Sequence, residues 1–216
     1  MDAKHQEQIE YYEGLLAKHG EGPLALDWNS AESQRVRFYV LKEILVYGKK
    51  AAGISILDLG CGLGDFYGFL KADGTLARHK IQYLGYDISP KLLEVAHRKY
   101  PDAKFEIKDI LAARDVPRFD YVFCSGALNY KIAEKEEQME YVKEMLLRMY
   151  DLSTCGIAVN FLGEGAIPHS DPEAVKSGRY FFFNPEEIVN FARFTGGRFI
   201  LRHDYHPGDF TLYLLK

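Results

Sequence analysis

The sequence predicts an α/β fold, a mostly parallel sheet with helices on both faces that ends in an antiparallel hairpin. Three observations carry this. From residue 54 onward, short apolar runs alternate with amphipathic stretches, the pattern of buried strands separated by helices. Ser89-Pro90 and Asn184-Pro185 each put a capping side chain before a proline, which marks a helix start. The last two strand candidates, 198–203 and 210–215, are joined by a few residues containing Pro207-Gly208. That is too short for a crossover helix, so they must pair antiparallel.

In chain order, 4–19 carries Ile9, Tyr12, Leu15, Leu16 and His19 at helical spacing and ends at Gly20. Gly22-Pro23 then breaks the chain. A second helix over 30–47 aligns Val36, Val40, Ile44 and Tyr47 and stops at Gly48. Strands are expected at 54–59, 81–86, 105–107, 121–124 and 157–162, with helices at 65–72, 90–99, 133–150 and 185–194. Glu187 occupies the capping-box position of the last helix and Gly196 follows it. Residues 104–110, KFEIKDI, alternate as an edge strand does. The organisation reads as a helical extension over 1–50 followed by one domain over 51–216.

Composition excludes several classes. The 216 residues are 47% hydrophobic and 27% charged, which rules out a disordered or low-complexity chain. Lysine and arginine total 27 against 31 acids, and no run collects four basic residues. A non-specific nucleic-acid or membrane binder would need such a field, so neither partner is expected. Cys61, Cys124 and Cys155 form no CxxC pair, as expected in a reducing compartment. The polar start has no signal-peptide core, and nowhere do eighteen apolar residues run together. A cytoplasmic protein is expected.

The chemistry is concentrated in 54–66, ISILDLGCGLGDF, where a strand ends on Asp58 and Leu59 before Gly60, Gly62 and Gly64. Such glycines let the backbone turn sharply and let a ligand lie against main-chain N–H groups. The spacing is not the dinucleotide G-x-G-x-x-G, because Asp65 and Tyr67 stand where its third glycine would fall. Downstream, YLGYDISP ends a second strand on Asp87, close to the offset at which such sheets place a ribose-binding carboxylate. A carboxylate there can accept from both ribose hydroxyls and would repel a phosphorylated ribose. KDI ends a third strand at Asp109, and FDYVFCSG runs a fourth into Ser125-Gly126.

In order and spacing, this series resembles the class I S-adenosylmethionine-dependent methyltransferases over about residues 25–216. The resemblance implies a Rossmann-like seven-stranded sheet in the order 3-2-1-4-5-7-6 with strand 7 antiparallel. It implies S-adenosylmethionine as cofactor and S-adenosylhomocysteine as product. It also implies cofactor contacts from Asp58, Gly60, Cys61, Gly62, Gly64, Asp87, Ile88, Asp109, Ile110, Ser125 and Gly126. The stretch DWNSAESQRVRFYVLKEI resembles the helix that precedes the glycine motif in relatives, with Trp28 and Arg37 covering the cofactor. The guanidinium fork of Arg37 suits the cofactor's carboxylate.

Each of these residues also has a plainer reading. Asp87 could be an acid favoured at a helix N-terminus, Asp109 a solvated strand end, and Arg37 a helix-surface cation. Cys61 and Cys124 read as small buried residues without an activating neighbour. His169, His203 and His206 lack a carboxylate set for a metal, and strand alternation separates 203 from 206. Tyr180 to Phe183 read as core under the last helix or as the wall of an acceptor pocket.

The expected function is methyl transfer to an oxygen or nitrogen of a small-molecule acceptor. Tyr130, a few residues past the fourth strand, is the catalytic candidate, and no residue declares itself a general base. The fourth strand ends SGALNY, unlike the NPPY-type sequence of amino-methylases that act on nucleobases. Alternatives are a regulatory module that keeps the cofactor without transfer activity, a nicotinamide-dependent dehydrogenase, and an aminopropyl transferase.

Overall fold

The computed structural model describes residues 3–48 and 50–216. Met1, Asp2 and Lys49, which belong to the expected extension, lie outside the described residues. Seven strands form one sheet: β1 (Ser55–Leu59), β2 (Gln82–Asp87), β3 (Lys104–Ile107), β4 (Phe119–Ser125), β5 (Ser153–Leu162), β6 (Arg198–Arg202) and β7 (Asp209–Leu215). Their order is β3-β2-β1-β4-β5-β7-β6. β1 to β5 run parallel, while β7 is antiparallel to both β5 and β6. The expected sheet and its closing hairpin are both present.

Alternation along the strands assigns the helices. Leu57, Val122, Val159 and Leu212 face α7 (Lys135–Leu152) and α9 (Pro185–Phe194). Ile56, Phe123, Ala158 and Tyr213 face α2 (Ala31–Lys42), the single turn α3 (Ile44–Tyr47), α4 (Asp65–Ala72) and α6 (Pro90–Lys99). Burial on both faces is why the central strands read as unbroken apolar runs. β7, although next to the edge, is buried throughout. At the far edge Phe105 is buried but Ile107 is 54% exposed.

Several boundaries differ from expectation. The helix expected over 30–47 is two helices. The Glu43 N–H is shared between the Tyr39 and Val40 carbonyls, a tightening that ends α2 and lets α3 turn Ile44 fully into the core. β5 begins at Ser153, directly after α7. Short helices α5 (Thr75–His79) and α8 (Pro172–Lys176) fill stretches expected to be loop. The proline caps hold: Ser89 Oγ accepts from the Leu92 N–H at 3.3 Å and Asn184 Oδ1 from Glu186 at 2.8 Å. Glu187 pairs with Lys135 of α7 at 3.6 Å, so the capping box is not what holds that helix start.

At the N-terminus, α1 (Ala3–His19) lies across the carboxyl end of the sheet. Glu13 fixes it there by accepting from Ser89 Oγ (3.0 Å) and pairing with Lys91 (2.7 Å), both at the start of α6. Gln8 adds a 3.4 Å bond to the Ala127 carbonyl. α1 is therefore a roof over the strand ends, while α2 and α3 pack on one face of the sheet.

Candidate active site

A cavity of about 260 Å³ opens beneath α1, at the carboxyl ends of β1, β2 and β4, where α/β sheets place ligands. Its floor is the glycine turn. The N–H groups of Gly60 and Cys61 both donate to the Tyr86 carbonyl, at 2.8 and 3.1 Å, which clamps the turn to β2. Gly60 has φ +70°, and a Cβ there would come within 2.4 Å of the Ala127 Cβ, so only glycine fits. Asp87 completes the clamp, with Oδ2 accepting from Gly62 (2.8 Å) and Oδ1 from Ser89 (2.9 Å). A carboxylate offers about four lone-pair positions, so Asp87 keeps accepting capacity beyond these two bonds. Burial raises the Asp87 pKa, and the backbone N–H groups oppose that shift.

The remaining wall follows in strand order. Asp109 caps the turn after β3 through the Leu111 N–H at 2.9 Å, and Ile110 behind it is fully buried. Ser125 and Gly126 close β4, and the Ser125 hydroxyl is buried with no hydrogen-bond partner among the described residues. Trp28 lies over Gly126, where a Cβ would meet its ring at 3.1 Å. Arg37 stacks on Trp28 at 4.9 Å, donates from Nη1 to the Ser33 carbonyl at 2.7 Å, and pairs through Nε with the buried Asp209.

Ten of the expected residues therefore wall one cavity: Gly60, Gly62, Asp87, Ile88, Asp109, Ile110, Ser125, Gly126, Arg37 and Trp28. Four do not line it, each for a physical reason. Asp58 shares its strand face with Ile56, so it points under the sheet, accepting from the Tyr83 hydroxyl at 2.5 Å. Burial raises its pKa to about 7 against that hydrogen bond, with Asp87 and Asp65 adding to the rise. Cys61 turns inward against Gly85, and Gly64 caps α4 beneath Tyr100 and Phe105. Tyr130 packs on Tyr11 and Tyr12, with ring centroids 5.7 and 6.0 Å away, and pairs through its main chain with Tyr180.

The four aromatics at 180–183 divide between the two readings. In an extended segment, Phe183 is fully buried and Phe181 packs beside it, while Tyr180 and Phe182 face the cavity. The sequence also gave no signal for Asn129 or Tyr12 in the wall. The hydroxyls of Tyr11 (2.6 Å) and Tyr180 both donate to Asp27. Burial and this carboxylate push Tyr11 up to about 12 and Tyr12 and Tyr180 higher still. These phenols stay protonated at neutral pH.

The Cys61 and Cys124 thiols are inert by burial, with Cys124 pushed up to about 12 and Cys61 well above its ordinary value. β6 ends at Arg202, so His203 lies outside the strand and stacks near Phe210 at 6.5 Å. His206 instead stands 3.4 Å from Asp209. Among the described residues, no three His, Cys, Asp or Glu side chains group to hold a metal, and no helix is long and apolar enough to cross a membrane.

Comparison with known proteins points to methyltransferases. A family model described as a methyltransferase domain matches residues 56–148, which span the glycine turn, Asp87, Asp109 and Ser125-Gly126. The Mycobacterium tuberculosis protein Rv1506c, a methyltransferase by name, is 27% identical over 75% of this chain and 93% of its own length. Trans-aconitate 2-methyltransferase of Methylobacterium nodulans is 30% identical over 48% of this chain and 40% of that protein. In fold, the chain is similar to magnesium protoporphyrin IX methyltransferase from Synechocystis with bound S-adenosylhomocysteine. That match covers both chains fully with a TM-score of 0.67 at 16% identity. Residues 56–148 therefore carry a methyltransferase domain, and the chain shares its fold with solved methyltransferases.

Proposed function

We propose that this cavity holds S-adenosylmethionine and that the enzyme transfers its methyl group to an oxygen or nitrogen of a small-molecule acceptor. One observation carries the reading. The turn at Gly60–Gly62, Asp87-Ile88, Asp109-Ile110 and Ser125-Gly126 wall a single cavity in strand order. The residues present fit the group: Asp87 keeps accepting capacity for ribose hydroxyls beyond its bonds to Gly62 and Ser89, and the orphaned Ser125 hydroxyl needs a partner.

In this reading, Asp87 takes the ribose, and Ile88 and Ile110 flank the adenine. Asp109 accepts from the adenine amino group. The amino acid portion lies on Gly60–Gly62 beside Ser125. Arg37, whose Nε and Nη1 are already committed, reaches the cofactor carboxylate with Nη2, and Trp28 covers it. Bound S-adenosylmethionine supplies an already electrophilic sulfonium methyl, so the protein's task is to align the acceptor and exclude water. α1 provides the exclusion, and Tyr12, Tyr180 and Phe182 form the acceptor wall. A formal charge of −4 and a small aromatic-walled cavity favour a free metabolite over a nucleic acid or membrane lipid. The unpaired cysteines favour a cytoplasmic setting.

Calorimetry tests the reading. S-adenosylhomocysteine is expected to bind with a dissociation constant on the order of micromolar, typical of a pre-formed small-molecule site, and NAD is not expected to bind. Folded protein that binds neither, or that prefers NAD, would refute it.

A further inference from the structure

Asp27 follows the 3₁₀ turn Pro23–Leu26 and holds φ +57°, in the left-handed region that residues other than glycine seldom occupy. The turn fixes it there. Its N–H donates to the Leu24 carbonyl at 3.2 Å, and the Trp28 N–H donates to the Pro23 carbonyl at 3.0 Å. Backbone held in this region gathers at functional sites, and Asp27 lines the cavity. Two elements hold its side chain: Tyr11 of α1 and Tyr180 of the aromatic segment both donate to Oδ2. Arg179 braces the pair, donating to the Tyr11 hydroxyl at 3.0 Å and lying over that ring at 4.3 Å. Oδ2 is therefore committed, while Oδ1 has no partner among the described residues.

The position suits proton transfer. Trp28, next in the chain, lies over Gly126 at the end of β4, and Tyr180, bonded to Asp27, faces the same cavity. Asp27 thus joins the cover of the cofactor to the wall of the acceptor. It is also exposed, which gives a captured proton a path to water. The phenols around it are poor bases, because burial holds Tyr11, Tyr12 and Tyr180 protonated. Asp171 and His5 line the cavity as well. Asp171 caps the short helix α8 through the Glu173 N–H at 3.2 Å, and the His5 ring stands 6.0 Å from Tyr141 of α7. Asp27 is the carboxylate that Tyr180 of the acceptor wall holds in place.

Resting on the methyl-transfer reading above, we propose that Asp27 is the general base of the reaction, with Oδ1 taking the proton of a hydroxyl or amine acceptor while the two phenols keep Oδ2 in place. In the step, the acceptor's O–H or N–H bond breaks and its proton passes to Oδ1. The acceptor's lone pair forms the bond to CH3, and the S–CH3 pair leaves with sulfur. The protonated Asp27 then gives its proton to water. Sulfonium plus acceptor become methylated acceptor, thioether and one released proton.

The test uses S-adenosylmethionine labelled in its methyl group with phenol, catechol, benzyl alcohol and benzylamine. The parent protein is expected to label at least one of them. Asn tolerates the left-handed backbone as Asp does and keeps an oxygen for the two phenols, so Asp27→Asn removes the base and little else. It should lower kcat/KM for that acceptor roughly 10²- to 10⁴-fold at neutral pH, the range for a positioned acid or base. The deficit against the parent should shrink by about tenfold per pH unit as pH rises, because an acceptor deprotonated by solvent needs no base. S-adenosylhomocysteine affinity should stay within about twofold, because Asp27 is not assigned to the cofactor. No label on any of the four acceptors, or unchanged turnover in Asp27→Asn, overturns the proposal. So does a deficit that is the same at every pH, or one that comes with lost S-adenosylhomocysteine affinity, since either marks a structural role. Failure of the parent protein to bind S-adenosylhomocysteine would instead overturn the cofactor reading.

Discussion

Asp58→Asn isolates the cost of a buried carboxylate beneath the glycine turn. Asp58 is 2% exposed, and its pKa stands near 7 against an unfolded value of about 3.9. Between those values the folded chain holds a proton that the unfolded chain has released, so stability falls as pH rises from about 4 to about 7. About three pH units at 1.36 kcal/mol each give roughly 4 kcal/mol lost by pH 8. Asparagine cannot ionise, yet its oxygen still accepts from the Tyr83 hydroxyl. The two proteins should therefore have similar stability near pH 4, and the variant should lead by roughly 4 kcal/mol at pH 8. In a chain of this size that is on the order of 10 °C in Tm. Urea denaturation at several pH values measures the difference, and effects common to both proteins cancel. A stability difference that does not change between pH 4 and pH 8 would refute the assignment of a buried, proton-retaining Asp58.

Two further outcomes follow from the same geometry. Asp87→Asn keeps one acceptor for the two N–H groups of Gly62 and Ser89. It should cost roughly 1.5–3 kcal/mol in urea denaturation and weaken S-adenosylhomocysteine binding about 10- to 150-fold by calorimetry. The strand-end position of Asp87 does not spare the fold, because the residue staples the turn. Asp209→Ala leaves the Arg37 guanidinium, 6% exposed, without its counter-charge. It should cost about 3–5 kcal/mol, and the double variant with Arg37→Ala should cost less than the sum of the two single changes.

How much was legible depended on whether local signals were enough. Strand ends, glycine spacing and proline caps are local, and they carried the alternation of strands and helices, the closing hairpin and the glycine turn, while the strand order and most of the cavity wall came from the family resemblance. The side-chain direction of an acid at a strand end is not local. Asp58 and Asp87 look alike in sequence, yet one shares the buried face of Ile56 and the other clamps Gly62. Four consecutive aromatics mask a period of two, so the division of Tyr180 and Phe182 from Phe181 and Phe183 became visible only with the backbone extended. Asn129 is held in the wall by one hydrogen bond from Leu162, thirty-three residues away. Tyr130, one residue on, drew attention by its hydroxyl but faces Tyr11 and Tyr12. The break at Glu43 has no glycine or proline to announce it.

The central claim is that S-adenosylmethionine lies across the carboxyl ends of β1 to β4. Its most direct test is an amide 15N–1H titration of the labelled protein with S-adenosylhomocysteine. The largest shifts are expected at Gly60, Gly62, Ile88, Ile110 and Gly126, the backbone that walls the cavity. Shifts confined to the separate groove between α2 and α4, around Gln34, Phe38 and Phe69, would contradict the account.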